Sequence, residues 1–221
     1  MNRILVASRN PDKLRELRDI LGAEGYEPVS LLELDLAGTL EIAETGLSFS
    51  ENAVLKATAI AQKFGELGLG EDSGLSVDAL GGAPGIFSAR YHALDAVTLR
   101  GVYPGYPGGR PLAAADVPAD SLNNVRLLAE LEGLSDRTAR YTCAVALVTP
   151  TAEVLLAAVG KIEGRIGDRP VGDGGFGYDP LFIPEGSELT FAQHAPEAKH
   201  AVSHRGRALK RLLDFLKEER P

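Results

Sequence analysis

The sequence has little cysteine and no long apolar run. Its single cysteine, Cys143, cannot form an internal disulfide, and its neighbours in YTCAVALV predict a buried strand. We therefore expect Cys143 to be an ordinary core residue in a reducing compartment. The longest apolar run after the N-terminal strand, VLLAAV, is too short to cross a bilayer. These absences favour a soluble, cytoplasmic protein with no membrane partner.

Basic residues are also in the minority. The formal net charge is −8, which argues against a protein that binds nucleic acid through a basic face. A small polyanionic ligand remains compatible with this charge, because a divalent cation or a few local lysines and arginines can neutralise phosphates. No internal repeat is present. We expect residues 1–221 to form one domain, large enough to bury a core and able to divide into two lobes.

Strand and helix patterns alternate unevenly and predict an α/β protein built on a mixed sheet. The predicted strands lie at residues 3–8, 138–149 and 153–164, with short strands within 67–80. The predicted helices lie at residues 10–25, 48–64, 120–134 and 207–219. Asn10 is the expected N-cap of the first helix, followed by Pro11. Ser48 and Glu51 form a capping-box pattern before the second helix, which Gly65 should end.

One segment breaks the even composition of the chain. Residues 100–120, RGVYPGYPGGRPLAAADVPAD, are rich in proline and glycine. This composition predicts a surface loop or a flexible insertion. We expect the segment to be an inert excursion from the domain.

The first stretch whose residues could bind a ligand is SRNPDK, which joins the first strand to the first helix. A helix N-terminus offers backbone N–H groups and a favourable dipole to an anion. Ser8 and Asn10 can add side-chain donors, and Lys13 adds a charge. The glycines and the Gly-Lys-Ser/Thr ending of a Walker loop are absent. Helix capping by Asn10 explains the same residues without a ligand.

Acidic residues supply the second and third stretches. Glu44 precedes the second helix in ETGLSFSENAVLKA and has no evident structural role there. Glu71 and Asp72 are neighbours in EDSGL, where we expect Ser73 and Gly74 to form a turn at a strand end. Adjacent strand side chains point to opposite faces, so only one of these two acids can easily face a shared site.

Glycine density marks the fourth stretch, GDGGFGYDPLF. Ordering glycine costs more backbone entropy than ordering any other residue, so such a loop indicates positive φ angles or a close approach to the backbone. One interpretation is a tight connection with Phe176 and Tyr178 in the core. The other is a ligand site at which Phe176 and Asp179 are held in place.

The fifth stretch, KHAVSHRGRA, contains two histidines four residues apart. His200 and His204 have the spacing of zinc ligands on a helix, but the glutamate of a His-Glu-x-x-His motif and further Cys or His ligands are missing. A helix start capped by Ser203 explains the segment more simply. Together, the five stretches offer acids, separated cations and an aromatic loop, a combination that suits a nucleoside triphosphate with Mg²⁺.

The five stretches also occur together in a known family. SRNPDK, ETGLSFSENAVLKA, EDSGLSVDALGGAPGIFSARY, GGFGYDPLF and SHRGRAL have the order and approximate spacing of the inosine/xanthosine triphosphate pyrophosphatases, and the resemblance covers nearly the whole chain. It implies an elongated mixed sheet with flanking helices, two lobes around a central nucleotide cleft, a homodimer and a need for Mg²⁺. The implied reaction converts non-standard purine nucleoside triphosphates (ITP, dITP and XTP) to the monophosphate and pyrophosphate.

The resemblance also implies roles for individual residues. It places the triphosphate at Ser8, Arg9, Asn10, Lys13 and Lys56. It places the metal at Glu44 and Asp72, makes Asp72 the proton acceptor, and makes Ser73 a substrate contact. It places the nucleoside at Phe176, Gly177, Tyr178, Asp179, Lys199, His204 and Arg205.

The sequence departs from the family pattern in a few places. Arg9 stands where glycine is frequent, Ala43 replaces one of a frequent acidic pair, and AQHAPEAKH is an unusual form of its segment. Residues 100–120 are longer than usual. Three alternatives stay open: a pyrimidine nucleotide pyrophosphatase of the same fold, a nucleotide-binding regulator without turnover, and a zinc hydrolase.

Overall fold

The strands form one mixed sheet. The computed structural model describes residues 2–218. Its strands are β1 (Asn2–Val6), β2 (Tyr26–Ser30), β3 (Gly68–Val77), β4 (Thr138–Val148), β5 (Val154–Ile166) and β6 (Phe182–Pro184). Within the described residues they form a six-stranded sheet in the order β2-β1-β3-β4-β5-β6. β1 is parallel to β2 and β3, whereas β5 and β6 are antiparallel, which confirms the predicted mixed sheet.

Helices connect and flank these strands. They are α1 (Pro11–Gly22), α2 (Leu31–Leu34), α3 (Phe49–Phe64), α4 (Ala96–Val102), α5 (Ala119–Glu130), α6 (Pro196–Val202) and α7 (His204–Glu218). A 3-10 segment, Gly85–Ala93, precedes α4. No helix among residues 2–218 has the length and apolar character needed to span a membrane. The α/β class and the principal predicted elements are confirmed.

The predicted helix ends are largely correct. The Asn10 side chain accepts hydrogen bonds from the first turn of α1, and Gly65 ends α3 in a left-handed conformation. Ser48 caps α3, but only half of the predicted capping box forms, because the Glu51 carboxylate accepts from the Leu47 N–H instead. Glu219, the last residue of the predicted C-terminal helix, lies outside the described residues.

The chain divides into two compact units, each with its own core. The first unit takes in the described residues up to Ser73, with Cys143–Lys161 and the described residues from His200 onward. The second unit takes in Gly74–Thr142 and Ile162–Lys199. The largest core of the first unit joins β1, α1 and α7, and includes Val6, Leu17, Cys143 and Leu212. The core of the second unit is more aromatic and includes Tyr91, Tyr141, Phe182 and Phe191.

The expected turn at Ser73 and Gly74 is wrong, because β3 runs without a break through both residues. Its glycines serve close packing instead. A Cβ on Gly70 would lie 1.9 Å from the Ala53 carbonyl oxygen of α3, and a Cβ on Gly74 would lie 2.5 Å from the Gly85 carbonyl oxygen. The strand therefore requires glycine wherever another backbone touches it.

Residues 100–120 are mostly exposed, as expected for a surface segment, but they are not inert. The segment begins inside α4, and Tyr106 is buried in the core of the second unit. The Tyr106 hydroxyl donates to Glu130 at 2.7 Å and accepts from Arg126 at 2.9 Å. The segment ends at the first turn of α5.

The contact between β3 and α3 generates a stability prediction. Gly70→Ala forces the two backbones apart, so we expect a loss of about 2 kcal/mol or more in the free energy of unfolding, measured by urea denaturation. The control is Gly22→Ala at the end of α1, where nothing lies within 4 Å of the added Cβ. The control should be neutral or slightly stabilising. Equal effects of the two substitutions would contradict the packing argument.

Candidate functional site

Charged side chains gather around β3 in the first unit. We call this group the acid–base cluster; it consists of Lys13, Glu16, Glu44, Lys56, Glu71, Asp72 and Arg205. The α1 helix supplies Lys13 and Glu16, α3 supplies Lys56, β3 supplies the two adjacent acids, and α7 supplies Arg205. The structure therefore brings together residues that lie far apart in the sequence.

Asp72 is the most enclosed candidate for a catalytic base. Lys56 Nζ lies 2.8 Å from one carboxylate oxygen, and Asn52 Nδ2 donates to the other at 3.1 Å. Only 8% of the Asp72 side chain is exposed. Burial raises the pKa of Asp72, although Lys56 and Lys13 act in the opposite direction. A raised carboxyl pKa is typical of a group that accepts a proton during catalysis.

Lys56 connects Asp72 to Glu44. Its Nζ lies 2.5 Å from Glu44 Oε1, so two carboxylates share one cation. Burial alone would lower the pKa of Lys56, but Asp72 and Glu44 raise it above its ordinary value. Among residues 2–218 no group of three His, Cys, Asp or Glu side chains is arranged to hold a metal. Two carboxylates that already converge on a cation nevertheless fit Mg²⁺, which often takes only one or two carboxylates and completes its shell with phosphates and water.

Glu71 has a different environment from its neighbour. Its side chain is fully buried, with Lys13 Nζ 3.2 Å from Oε2 and Arg205 Nη2 3.2 Å from Oε1. Arg205 also pairs with Glu16 and donates to Ser73 Oγ at 3.0 Å. Burial opposes ionisation of Glu71, but Arg205 and Lys13 overcome it and hold its pKa well below the ordinary value. Glu71 is therefore a fixed anion.

The two adjacent acids thus meet separate sets of partners, as strand alternation predicts. The pKa directions distinguish them: Asp72 is suited to gain a proton, and Glu71 is not. Cys143 is buried as expected, but it also contacts the cluster, with Sγ 3.4 Å from Glu71 Oε1. Burial, together with Glu71, raises the thiol pKa of Cys143 well above its ordinary value, so it stays protonated.

The first turn of α1 does not present the free amides expected of an anion site. Asn10 Oδ1 accepts from the N–H groups of Asp12 and Lys13, and Ser8 Oγ accepts from the Asn10 N–H. Pro11 has no N–H group. The donors that this loop can offer a phosphate are side chains: the Ser8 hydroxyl, the Asn10 amide and the Lys13 ammonium.

Arg9 is engaged elsewhere. Its guanidinium pairs with Asp35 and donates to the Leu31 carbonyl at 3.4 Å. The side chain that departs from the family pattern therefore joins the loop to α2 and its C-terminal end.

The second group of candidate residues lies in the second unit. Lys199 Nζ is 2.7 Å from Asp179 Oδ2, and both side chains are almost completely buried. The same carboxylate oxygen accepts from the Phe176 N–H at 2.9 Å. The ammonium of Lys199 also lies 5.1 Å from the centre of the Phe176 ring and 5.8 Å from that of Phe191. We call Phe176, Asp179, Phe191 and Lys199 the aromatic–lysine cluster.

The glycines of this loop mostly serve contacts within the protein. A Cβ on Gly175 would lie 2.1 Å from Asp179 Oδ2, and a Cβ on Gly174 would lie 2.7 Å from the Ala192 carbonyl oxygen. Gly177 differs, because it has a φ of +61° and no heavy atom within 4 Å of an added Cβ. Close approach to the backbone was correctly predicted, but protein atoms make that approach at Gly174 and Gly175.

Tyr178 serves the core of the second unit. Its side chain is 3% exposed, and its hydroxyl donates to the Ser88 carbonyl at 2.9 Å. That Tyr178 contacts the substrate stays a prediction, and its backbone is the part that the core does not already engage in this way.

The residues expected to hold the nucleoside belong to different units. Phe176, Asp179 and Lys199 lie in the second unit, whereas His204 and Arg205 lie in the first, where Arg205 joins the acid–base cluster. His200 ends up in α6 and His204 in α7, so the two histidines do not share a helix as a zinc motif requires. Ser203 accepts from the Gly206 N–H at 3.1 Å, which confirms the expected cap.

Sequence reasoning missed two members of the site. Glu16 is 8% exposed on the apolar side of α1, three residues after Lys13, and an acid between leucines was the available signal. Asn52 is 1% exposed and lies one helical turn before Lys56 in α3. Its amide oxygen accepts from the Gly46 N–H at 2.9 Å while its nitrogen holds Asp72. The four-residue spacing could have revealed it.

Comparison with known proteins adds an independent result. Curated relatives include a dITP/XTP pyrophosphatase of an Exiguobacterium species (strain AT1b), 43% identical over 210 residues, which are 95% of this chain and 94% of the relative. The dITP/XTP pyrophosphatase of Bacillus subtilis is 38% identical over 98% of both chains.

Solved structures agree with these relatives. A nucleoside-triphosphatase / dITP/XTP pyrophosphatase of Mycobacterium abscessus is 42% identical, with a TM-score of 0.67 over 96% of this chain and 98% of the other. A HAM1 protein of Coxiella burnetii is 34% identical, with a TM-score of 0.78 over 99% of this chain and 100% of the other. The family model described as the Ham1 family matches residues 4–215. The chain therefore belongs to the Ham1 family.

Proposed function

We propose that the protein hydrolyses the non-standard purine nucleoside triphosphates ITP, dITP and XTP to the monophosphate and pyrophosphate. One observation carries the proposal: Asp72, a buried carboxylate with a raised pKa, lies beside Glu44 and among cations suited to phosphate. The relatives named dITP/XTP pyrophosphatases indicate which triphosphates are used.

The acid–base cluster carries the phosphate chemistry. Asp72 accepts the proton of the water that attacks the α-phosphorus, and pyrophosphate leaves. Lys13 and Lys56 offset the phosphate charge, with Ser8 and Asn10 as neutral donors. Arg205 fixes Glu71, and Glu71 in turn positions Lys13. Phosphoryl chemistry depends mainly on positioning and charge, which this set of residues can supply.

Glu44 and Asp72 are the residues that would hold Mg²⁺. When bound, the ion would offset charge on the phosphate oxygens. Lys56 Nζ pairs with both carboxylates and offsets part of their charge.

The aromatic–lysine cluster recognises the base. Phe176 stacks on the purine, and Lys199 donates to the 6-keto oxygen that hypoxanthine and xanthine carry and adenine lacks. Ser73, Gly177, His204 and the backbone of Tyr178 complete the proposed substrate contacts. Asp179 holds Lys199 and the Phe176 N–H at one oxygen, so a single carboxylate orients both recognition groups.

We also propose that the protein acts as a homodimer in the cytoplasm. The dimer rests on the resemblance of the motifs. The location rests on the single free cysteine, which suits a reducing compartment, and on the need to act on the soluble nucleotide pool.

The function predicts pyrophosphate release from ITP, dITP and XTP in the presence of Mg²⁺, with ATP used far less well. Chelation should stop the reaction, and Mg²⁺ or Mn²⁺ should restore it, because carboxylates are hard ligands. The measurement is pyrophosphate release with each nucleotide. A preference for pyrimidine triphosphates, binding without turnover, or restoration by Zn²⁺ alone would contradict the proposal.

Substitution of the two adjacent acids should separate catalysis from stability. Asp72→Asn keeps the shape but removes the base, so we expect kcat to fall by about 10² to 10⁴ with little change in the urea midpoint. Glu71→Gln breaks buried ion pairs and should cost about 3 kcal/mol or more in the free energy of unfolding. Asp168→Asn, at a side chain that is 92% exposed, is the control. Near-parental turnover by Asp72→Asn would disprove its role.

Base selectivity should depend on Lys199 more than on Phe176. Phe176→Ala should lower kcat/KM for ITP and kcat/KM for ATP in similar proportion, because stacking does not distinguish the bases. Lys199→Met should narrow the kcat/KM preference for ITP, which we expect to be roughly 10⁴ in the parent.

The control for Lys199→Met is the double variant with Asp179→Asn. Lys199→Met alone leaves a buried carboxylate without its ammonium and should lower the free energy of unfolding. The double variant removes both charges and should recover stability but not selectivity. If it retains the full preference for ITP, Lys199 does not read the base.

A further inference from the structure

The position of Phe176 depends on side chains rather than on a backbone ladder. Its own N–H is held by Asp179 Oδ2, as described above. The next residue, Gly177, is held at both of its backbone groups by one helix. Asp120 Oδ2 accepts from the Gly177 N–H at 2.8 Å, and Asn124 Nδ2 donates to the Gly177 carbonyl at 3.0 Å.

Asp120 and Asn124 lie four residues apart in α5, so they share one face of that helix. Together they fix the two peptide planes that flank Gly177. The left-handed conformation of Gly177, with a φ of +61°, determines the direction in which the chain leaves Phe176. A helix outside the glycine loop therefore sets the direction of the proposed stacking ring.

The Asn124 contact is maintained at a cost. Its Oδ1 atom is buried and has no hydrogen-bond partner among residues 2–218, while its Nδ2 atom donates to Gly177. A buried acceptor without a partner is unfavourable. The opposite orientation of the amide would place Oδ1 against the Gly177 carbonyl oxygen, so the donor role fixes the orientation seen.

The α5 helix is itself firmly attached within the second unit. Asn123, 1% exposed, accepts from the His92 N–H at 2.7 Å and donates to the Ser88 carbonyl at 3.2 Å. Tyr178 donates to the same Ser88 carbonyl. Two successive residues of the glycine loop are therefore hydrogen-bonded to elements that also contact each other: Gly177 to α5, and Tyr178 to the 3-10 segment.

We propose that Asp120 and Asn124 are positioning residues for base recognition, which hold Gly177 so that Phe176 is presented to the purine. The proposal rests on the proposed function for the identity of the ligand. It also gives residues 100–120 a role, because this proline- and glycine-rich segment leads directly into the turn of α5 that carries Asp120. Neither residue touches the base in this scheme; both act through the loop.

The test uses Asn124→Leu and Asp120→Ala. Leucine matches the shape of asparagine and removes the unpaired acceptor, but it also leaves the Gly177 carbonyl without its donor, so the urea midpoint should change little. A merely structural role for Asn124 would instead lower it. Both variants should raise KM for ITP and KM for ATP in similar proportion, by about tenfold, because the stacking ring is misplaced and stacking does not distinguish the bases. Asp120→Asn retains an acceptor for the Gly177 N–H and should keep the parental KM values.

A second readout does not require turnover. The chain has no tryptophan, so Phe176→Trp places a single tryptophan in the loop, and its fluorescence can be excited selectively. Adding Asn124→Leu or Asp120→Ala to Phe176→Trp should lower the emission anisotropy, because the loop becomes mobile. Val125→Ala, at an exposed position of α5, is the control and should leave the anisotropy unchanged.

The two readouts separate the possible failures. Anisotropy and KM values that match the parent in both variants would overturn the proposal. If Asn124→Leu fails to fold, the exposed Asp120→Ala decides by the same two measurements. Absence of ITP hydrolysis in the parent would reject the proposed function, while the anisotropy of the tryptophan variants would still show whether α5 holds the loop.

Discussion

The close contact between the backbones of β3 and α3 is the constraint on which the first unit depends. Glycine at positions 68 and 70 lets the strand meet the helix at Ala53 and Ala57, and a single methyl group at either position would collide with a carbonyl oxygen. This closeness brings Asn52 and Lys56 of the helix within hydrogen-bond distance of Asp72 on the strand. The geometry around Asp72, the proposed catalytic carboxylate, is therefore a consequence of backbone packing.

The alternation of the strand then gives two neighbouring acids opposite tasks. Glu71 meets two cations, which keep it ionised and make it part of the framework. Asp72 pairs with the ammonium of Lys56, which also pairs with Glu44. Burial is the largest influence on the pKa of Asp72 and raises it. Chemically identical groups on consecutive residues can thus serve as a permanent charge and as a proton acceptor. In the second unit a single group also has two partners: one oxygen of Asp179 accepts from both Lys199 and the Phe176 N–H.

Much of the fold could be predicted because its signals are local. Asn10, Ser48 and Gly65 mark helix ends through nearby atoms, and apolar periodicity marked α1 and the long strands. The family was predicted correctly, because five motifs in order identify it. Non-local contacts could not be predicted: Gly74 suggested a turn until its neighbours were known, and Tyr106 was placed in an inert loop although it is buried. Nothing near Arg205 in the sequence indicated that it pairs with Glu71. Each error concerned a partner far away in the chain.

The buried thiol has a practical consequence for work on this protein. Cys143 is the chain's single cysteine, it is inaccessible, and burial together with Glu71 raises its thiol pKa, which keeps the sulfur protonated. Alkylating reagents need an accessible thiolate, so the folded protein should resist them and only opening of β4 would allow reaction. A cysteine engineered on the surface would then be the single target for a fluorophore or spin label, with no need to remove the native one. The native residue would in turn report local unfolding around β4 by its rate of labelling.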